Sequence, residues 1–209
     1  MTRPSQADIY AALAAQSSSS FRKPAAPTAP YSAFPDPSSE LITPSGSGPS
    51  RVNCTRVYCP REGCGSLILM DRAGEVLESD VEVLPYHTGS PFPPPNFPPS
   101  SPEKASATKL HYLYIPSPFH FENIGYSRPD KSMALPPGSP GLQGVPSGSG
   151  QSKGVEGNGK GKVKWLICAE CDLGPVGWGF EGMEGGWVDM RRVRYPAPAA
   201  ASAEKEKEE

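Results

Sequence analysis

The sequence contains no run of about eighteen apolar residues, so no membrane-spanning helix is predicted. It also has no large charge excess, because 20 lysine and arginine residues are set against 22 aspartate and glutamate residues, for a net charge of -2. A general electrostatic attraction to nucleic acid or to an anionic membrane is therefore not expected. The N-terminal residues lack the apolar core of a signal peptide and include Asp8, so secretion is not expected either.

Hydrophobic residues are scarce at 36% of the 209 residues, whereas proline (27) and glycine (22) are abundant. Such a composition predicts a small folded core that is interrupted by disordered segments. We expect one domain over residues 51–196, with flexible insertions at 85–107 and 127–162. Residues 1–50 and 197–209 are expected to be disordered. Because the ordered part is small, a structural metal ion would stabilise it strongly, by on the order of 10 kcal/mol.

The segments between these insertions are rich in residues that favour β-strands, so the predicted fold class is mainly β. The predicted strands cover residues 66–70, 81–84, 110–115, 164–168, 178–180 and 187–195. The last of them carries several charges, which predicts an edge strand with limited burial. Gly74 and the acidic residues after it predict a turn. Residues 5–15 predict a transient helix, with a helix that docks on a partner as the alternative.

Two pairs of cysteines provide the clearest chemical signal in the chain. Cys59 and Cys64 are separated by four residues, Cys168 and Cys171 are separated by two, and a glycine follows each pair closely. In a chain without a signal peptide, five cysteines favour metal binding over disulfides, and four thiolates complete the tetrahedral shell of a structural zinc ion. Cys54 could replace Cys59 as a ligand, but the preferred interpretation is a small side chain in the strand that leads into the first pair.

Other zinc proteins fit the pattern less well. A catalytic zinc ion needs an open coordination position, which four thiolates do not leave. His120-Phe-Glu122 followed by the second cysteine pair is similar to the zinc-deaminase pattern, but that assignment leaves Cys59 and Cys64 without a role. A nucleic-acid-binding zinc ribbon needs a basic face, and the only lysine cluster lies mostly in a predicted flexible insertion. A methionine sulfoxide reductase B needs a further cysteine after Cys171, and the sequence has none.

Three segments of the chain resemble a known family. They are CGSLIL at residues 64–69, FENIG at 121–125 and LICAECDLGPVGW at 166–178. In this order they resemble the Rab-interacting exchange factors that comprise the mammalian suppressor of Sec-four and its fungal counterpart. A generic zinc ribbon carries neither the Phe-Glu-Asn element nor the Gly-Pro-x-Gly-Trp string. The chain departs from the family in a first cysteine pair that is longer by two residues and in its long insertions.

The resemblance implies a β-tent, a mixed and mostly antiparallel β fold in which one zinc ion joins two loops. It implies as zinc ligands Cys59, Cys64, Cys168 and Cys171. It also implies binding to Rab-type small GTPases in their nucleotide-free form, with release of GDP and no covalent chemistry by the protein itself. The alternative function is a zinc-ribbon-like module that binds nucleic acid or protein without exchange activity. We expect a cytoplasmic monomer that reaches secretory-pathway membranes through its GTPase partner.

The resemblance further implies a GTPase-binding set of Glu170, Phe121, Glu122 and Asn123. Glu170 lies between the cysteines of the second pair, and the hypothesis is that its carboxylate competes with phosphate or Mg²⁺ in the nucleotide pocket of the GTPase. Phe121 would fill an apolar groove of the partner. The structural alternatives are a solvated charge for Glu170, a core position for Phe121, and a simple turn for Glu122 and Asn123.

Overall fold

The chain folds into two β-sheets. The computed structural model describes residues 27–46, 48–85, 90, 92, 109–142, 160 and 162–198. Within these residues one sheet has four strands and the other has eight, every pairing between strands is antiparallel, and one short α-helix is present. The predicted fold class, mainly β with mostly antiparallel sheets, is confirmed. No helix in this part of the chain is long and apolar enough to cross a membrane.

The strands are short, as expected for a chain so rich in proline and glycine. In spatial order, the four-stranded sheet consists of β1 (Thr28–Pro30), β12 (Arg194–Pro196), β4 (Val57–Tyr58) and β5 (Leu67–Leu69). The eight-stranded sheet consists of β2 (Ile42–Pro44), β3 (Arg51–Asn53), β6 (Glu75–Ser79), β7 (Leu110–Ile115), β11 (Gly186–Asp189), β10 (Gly177–Phe180), β9 (Val163–Cys168) and β8 (Ile124–Tyr126). Helix α1 spans Pro37–Glu40, and 3₁₀ turns cover Tyr31–Ala33, Pro118–His120 and Met190–Arg192.

Side chains on the eight-stranded sheet alternate between two hydrophobic clusters, because successive residues of a strand point to opposite faces. Along β7, Leu113 and Ile115 face one way, whereas Tyr112 and Tyr114 face the other. The inner cluster is largely aliphatic, includes both sheets, and contains Val57, Leu69, Leu113, Ile115, Leu166, Val188 and Tyr195. The outer cluster is largely aromatic and contains Tyr112, Tyr114, Trp178, Phe180 and Trp187, with Val83, Leu84, Leu135 and Leu142. The sheet is therefore buried on both faces.

The outer cluster is covered by chain segments that lie outside the strands. Residues 127–162 were predicted as a flexible insertion that buries no core, but the structure differs for residues 127–142, where Leu135 and Leu142 are buried. A few apolar residues suffice here because the sheet supplies large aromatic side chains. Gly141 has φ +91°, and a Cβ atom at this position would lie 2.6 Å from the ring of Trp187. This cover therefore packs directly on the sheet.

The N-terminal arm, residues 27–44, belongs to both sheets, although residues 1–50 were predicted to be disordered. Strand β1 pairs with β12, and β2 pairs with β3. Phe34 and Leu41 are buried in the inner cluster. Main-chain pairing orders the arm despite its low hydrophobic content, because each strand satisfies backbone groups that an exposed edge would leave unpaired. The helix predicted at residues 5–15 lies outside the described residues.

Most of the predicted strands are confirmed, since β5, β7, β9 and β10 occupy four of the predicted segments. The strand predicted at residues 81–84 is wrong, because the chain instead forms β6 at the preceding residues, where a turn was predicted. Strand β6 pairs along its whole length with β7. Its Val76 and Leu77 pack in the inner and outer clusters, while Glu78 is exposed and pairs with Arg51 of the neighbouring β3. The acidic residue is accommodated because it has a charged partner at the surface.

The single edge strand predicted at residues 187–195 is also wrong. The segment divides into β11, a 3₁₀ turn and β12, which belong to different sheets. β11 lies in the interior of its sheet, between β7 and β10. Arg192, whose charge suggested exposure, is buried and donates hydrogen bonds to the carbonyls of Leu84 and Pro85, at 3.0 and 3.1 Å. A charge can therefore be buried here because main-chain oxygens satisfy it.

Candidate metal centre and docking surface

Four cysteines converge at one end of the molecule, as the sequence predicted. The sulfur atoms of Cys59, Cys64, Cys168 and Cys171 all lie within 4.8 Å of one another. The distance from Cys59 Sγ to Cys171 Sγ is 3.5 Å, and from Cys64 Sγ to Cys168 Sγ it is 3.9 Å. A tetrahedral ion with metal–sulfur bonds of about 2.3 Å separates its sulfur ligands by about 3.8 Å. The four cysteines therefore fit one metal ion.

The first cysteine turn, residues 59–66, is shaped by its glycines. Gly63 and Gly65 have φ values of +80° and +64°, which side chains with a Cβ atom rarely adopt. The N–H of Cys59 donates to the carbonyl of Ser66 at 2.8 Å and so closes the turn at the junction of β4 and β5. The residues between the two cysteines form a turn, in which the N–H of Cys64 donates to the carbonyl of Arg61 at 3.2 Å.

The second cysteine turn, residues 168–173, follows directly from β9. The N–H of Cys168 donates to the carbonyl of Leu173 at 2.9 Å, and the N–H of Asp172 donates to the carbonyl of Cys168 at 2.9 Å. Asp172 adopts φ +57°, a left-handed conformation that aspartate tolerates better than most residues. The two bonds fix Cys168 and Cys171 on the same side of the turn.

Hydrogen bonding within the cluster favours one thiolate. A hydrogen bond from the Cys59 thiol lowers the pKa of Cys168 to about 5, and the same bond raises the pKa of Cys59. Burial raises the pKa of Cys64. All five cysteines of the chain are free. A metal ion would displace the remaining protons, because thiolates are the ligating form.

The Phe-Glu-Asn element joins β5 to the second cysteine turn. The Asn123 side chain donates through Nδ2 to the carbonyl of Leu67 at 2.8 Å, and the Asn123 carbonyl accepts from the N–H of Ala169 at 3.0 Å. The N–H of Glu122 also donates to the carbonyl of Ile68 at 3.0 Å. Asn123 therefore connects the four-stranded sheet to the turn that carries Glu170, a structural role that the sequence did not reveal.

The structure distinguishes the other predicted docking residues by exposure. Glu122 and Glu170 are exposed. Phe121 is partly buried and packs edge-to-face on Tyr126, with ring centroids 6.3 Å apart. Phe119, which no sequence pattern singled out, is 93% exposed in the 3₁₀ turn just before Phe121. Of the two phenylalanines, Phe119 rather than Phe121 therefore presents its ring to solvent.

A surface cavity of about 400 Å³ lies between the two cysteine turns. Its lining includes Arg61, Glu62, Cys64, Ser66, Glu170 and Cys171. The guanidinium of Arg61 donates to the carbonyl of Cys171 at 3.4 Å, so this side chain also links the turns. Glu170 therefore lies at an opening immediately beside the sulfur cluster.

A comparison with protein-family models matches the Mss4 protein family over residues 52–195. The chain belongs to the Mss4 family. This confirms the family that the sequence segments resembled. A search of curated proteins gave no match to the chain.

The Mss4 match includes all four clustered cysteines, the Phe-Glu-Asn element and Glu170. The match begins within β3, so the N-terminal arm lies outside the matched residues. The residues of the candidate site therefore all come from the part of the chain that the family shares.

Cys54, the fifth cysteine of this Mss4-family chain, lies apart from the metal cluster. Its thiol donates to the carbonyl of Glu40 at 3.1 Å, next to helix α1. The four-residue cluster within the described part of the chain does not include it. The preferred interpretation of the sequence, in which Cys54 is not a ligand, agrees with this position.

Proposed function

We propose that this member of the Mss4 family is a guanine-nucleotide exchange factor and chaperone for Rab-type small GTPases, which binds their nucleotide-free form and promotes GDP release. The observation that supports this most is the bond between Ala169 N–H and the Asn123 carbonyl, 3.0 Å long. It joins the Phe-Glu-Asn element, with the exposed Glu122, to the turn that carries the exposed Glu170, within the family-matched residues. The proposed action requires binding alone, so the protein is not an enzyme with covalent chemistry of its own.

The proposed metal is one structural zinc ion, held by the four clustered cysteines. Zinc favours four thiolates in a tetrahedron, and a closed shell of this kind serves structure rather than catalysis. A divalent ion with four thiolates would keep a charge of about -2. Glu62 and Glu170 add negative charge at the same cavity, and Arg61 offsets part of it. The surface at this end therefore favours a basic partner.

The mechanism follows from reciprocity. A protein that binds the empty GTPase more tightly than the GDP-bound form must weaken GDP binding by the same factor. The GTPase holds its nucleotide through a phosphate-binding loop, a lysine and Mg²⁺. The carboxylate of Glu170, held on a turn between two metal-ligating cysteines, would contact this basic pocket or a neighbouring switch segment. Such a contact is available only when phosphate and Mg²⁺ have left.

The aromatic anchor of the proposed surface is Phe119. The predicted anchor, Phe121, packs on Tyr126 and against the inner cluster. Its role is therefore to hold the Phe-Glu-Asn element on the core rather than to contact the partner. Phe119 is held in a turn that begins at Pro118, and its N–H donates to Ser117 Oγ at 3.4 Å. An aromatic side chain has only two rotatable bonds and loses little conformational entropy on binding, which is one reason why such residues dominate many interfaces.

The test is GDP release from a panel of purified Rab GTPases, with stoichiometric zinc-loaded protein. We expect acceleration for a subset, with a stable nucleotide-free complex. Phe119→Ala should lower the acceleration by about thirtyfold, as expected for a hot spot of about 2 kcal/mol. Glu170→Gln should lower it by about tenfold, since one charged contact is lost. The matched controls are Met133→Ala and Glu184→Gln, which alter exposed residues away from this surface.

Each result bears on a separate part of the proposal. Normal exchange by folded, zinc-loaded Glu170→Gln protein would exclude the carboxylate role. Normal exchange by folded, zinc-loaded Phe119→Ala protein would exclude a role of Phe119 in contacting the GTPase. No acceleration and no complex across the panel would leave a metal-stabilised binding module without exchange activity.

We also propose that the protein acts as a monomer in the cytoplasm and meets secretory-pathway membranes through its GTPase partner. The proposal of a protein partner rather than a nucleic acid is supported by the net charge of -2 and by the acidic character of the cavity between the cysteine turns. Light scattering of the protein alone and with a nucleotide-free GTPase gives the stoichiometry. A one-to-one complex is expected.

A further inference from the structure

Arg61 contacts three of the four clustered cysteines through three different groups. It lies in the longer of the two cysteine turns, where four residues separate the two cysteines. Its N–H donates to Sγ of Cys59 at 3.4 Å, and its carbonyl accepts from the N–H of Cys64 at 3.2 Å. Its guanidinium donates to the carbonyl of Cys171, in the other turn, at 3.4 Å. A single residue therefore connects the cysteines of its own turn to the turn opposite.

The bond between the two turns acts on the main chain beside Glu170. Glu170 directly precedes Cys171, whose carbonyl accepts from Arg61. It directly follows Ala169, whose N–H donates to the carbonyl of Asn123 at 3.0 Å. The backbone is thus held on both sides of Glu170, by the first cysteine turn on one side and by the Phe-Glu-Asn element on the other. Loss of the Arg61 side chain would release one of these sides.

The chemistry of Arg61 suits a centre of four thiolates. Such a centre carries negative charge on its sulfur atoms, which hydrogen-bond donors and cations stabilise. Arg61 supplies both, because its N–H binds a sulfur atom directly and its guanidinium is bound to the main chain of a second cysteine. The guanidinium stays charged at physiological pH and presents its donors in a fixed plane. Groups that bind metal ligands from outside the coordination shell contribute about ten- to hundredfold to metal affinity.

We propose that Arg61 is a positioning residue of this centre, whose side chain holds the second cysteine turn against the first and thereby both retains the metal and orients Glu170. The orientation of Glu170 rests on the proposed function, whereas the retention of the metal does not. Arg61 is exposed, so its bond to the Cys171 carbonyl competes with water. The expected effect therefore lies at the lower end of the range for such residues.

The experiment measures the rate at which the zinc-loaded protein releases zinc into an excess of a chromogenic chelator. Arg61→Ala should release zinc about tenfold faster than the unmodified protein. Arg61→Lys keeps the charge and a donor, so its rate should lie within about threefold of the unmodified one. The matched control is Arg72→Ala, because Arg72 is also exposed and its guanidinium donates to the carbonyl of Pro44 in β2 at 3.5 Å, not to a cysteine turn. Its zinc release should be unchanged.

Urea unfolding of the zinc-loaded variants separates positioning from a general loss of stability, and the unfolding midpoint of Arg61→Ala should match that of Arg72→Ala. Unchanged zinc release by Arg61→Ala, or equal acceleration by Arg72→Ala, would overturn the proposal. So would a failure of Arg61→Lys to release zinc more slowly than Arg61→Ala.

The link to Glu170 is tested by GDP release from the Rab panel. The double variant Arg61→Ala, Glu170→Gln should promote GDP release as well as Glu170→Gln alone, because a residue that acts through Glu170 adds nothing once that carboxylate is gone. Additive losses would exclude the orientation of Glu170 by Arg61. If zinc release behaves as predicted but no GTPase responds to the unmodified protein, the proposed function is wrong and the role of Arg61 in retaining the metal is supported.

Discussion

The two faces of the eight-stranded sheet are buried in different ways. The inner face packs against the four-stranded sheet through aliphatic side chains, and this packing ends at the four cysteines. The outer face carries two tryptophans, Trp178 and Trp187, with aromatic neighbours, and is covered by segments outside the strands. One face is thus closed by regular structure that ends at a cluster of four cysteines, and the other by large side chains beneath irregular chain.

The difference shows how an irregular cover can be held in place. Two of the outer aromatic residues bind the covering main chain through their polar ends, whereas Nε1 of Trp187 is buried without a partner in the described residues. Trp178 donates through Nε1 to the carbonyl of Pro140 at 3.2 Å, and the hydroxyl of Tyr112 donates to the carbonyl of Val81 at 2.8 Å. An aliphatic side chain could bury the same area but could not satisfy those carbonyls. On the inner face Tyr195 makes a bond of the same kind, from its hydroxyl to the carbonyl of Met190 at 2.8 Å, but most of the cover is a sheet whose backbone groups pair with each other.

The largest effect should come from removing the metal from the inner face. We predict that Cys171→Ser abolishes zinc binding and costs on the order of 10 kcal/mol, which is comparable to the whole stability of a typical domain. Cys171 is chosen because it is only partly buried, so little packing is lost. Metal analysis and circular dichroism measure the result. In hydrogen exchange, β4 and β5 should lose protection before β7 and β11.

The matched control for the metal prediction is Cys54→Ser, since Cys54 lies outside the cluster and its thiol donates to the Glu40 carbonyl, a bond that a serine hydroxyl can also make. It should bind zinc as the unmodified protein does. If the two variants behave alike, the cluster is not the metal site. If Cys171→Ser exposes both faces at once, the comparison fails, because the two faces would then unfold as one unit.

The segment that covers the outer face should be destabilised by truncation of one buried side chain. Leu135 is 2% exposed in the outer cluster, and Leu135→Ala should lower the free energy of unfolding by about 3 kcal/mol through the cavity that it leaves. Met133→Ala, at an exposed position two residues earlier, should change it by less than about 0.5 kcal/mol. Urea unfolding followed by tryptophan fluorescence measures both. Equal effects of the two variants would show that the cover contributes nothing to stability.

The N-terminal arm allows a smaller test on the inner face. The Tyr31 hydroxyl bonds to Nδ1 of His111 at 3.0 Å, and Tyr31→Phe should cost about 1 kcal/mol. The matched control is Tyr126→Phe, because the Tyr126 hydroxyl is buried without a partner in the described residues. That change should be neutral or slightly stabilising. A cost for Tyr126→Phe equal to that for Tyr31→Phe would contradict the assigned role of the bond.

The sequence predicted the inner face better than the outer one. Both cysteine pairs and β5, β7 and β9 could be identified because a metal-ligand spacing and apolar runs are local signals. Residues 127–142 could not, since Leu135 and Leu142 are isolated among prolines, glycines and serines, and their burial depends on distant tryptophans. The arm was missed for the same reason, because pairing with β12 at the far end of the chain is not a local property.

The candidate site shows the same limit. The cysteines were predicted, but Phe119 and the bridging role of Asn123 were not. Ser117-Pro118 predicts a turn, and this signal could have indicated that Phe119 would not continue a buried strand. Phe119 is exposed and Phe121 is partly buried because Phe121 forms the bridge to β5. This long-range contact cannot be predicted from a local sequence pattern.

The smallest expected effect is a pH dependence at the contact between the arm and β7. His111 is buried, with the Tyr31 hydroxyl at Nδ1 and Glu78 Oε1 3.7 Å from Nε2. Burial lowers the pKa of His111 below 6.5, because the loss of solvation outweighs the attraction of Glu78, and nearby Arg51 lowers it further. Glu78 in turn has a lowered pKa, chiefly through its bond to Arg51. His111 therefore binds a proton less readily in the folded protein than in the unfolded chain.

The sign of the effect follows from this difference in proton binding. The contribution of His111 to stability is fully present above the unfolded pKa of about 6.5 and is lost as the pH falls towards the lower folded value. We predict that unfolding free energies measured between pH 7.5 and 5.5 fall more steeply for the unmodified protein than for His111→Gln. The cysteines titrate alike in both proteins, so the difference between the two curves isolates His111. Parallel curves would show that the contact between the arm and β7 is insensitive to pH, and the protonation of His111 would then contribute nothing to the stability of the inner face.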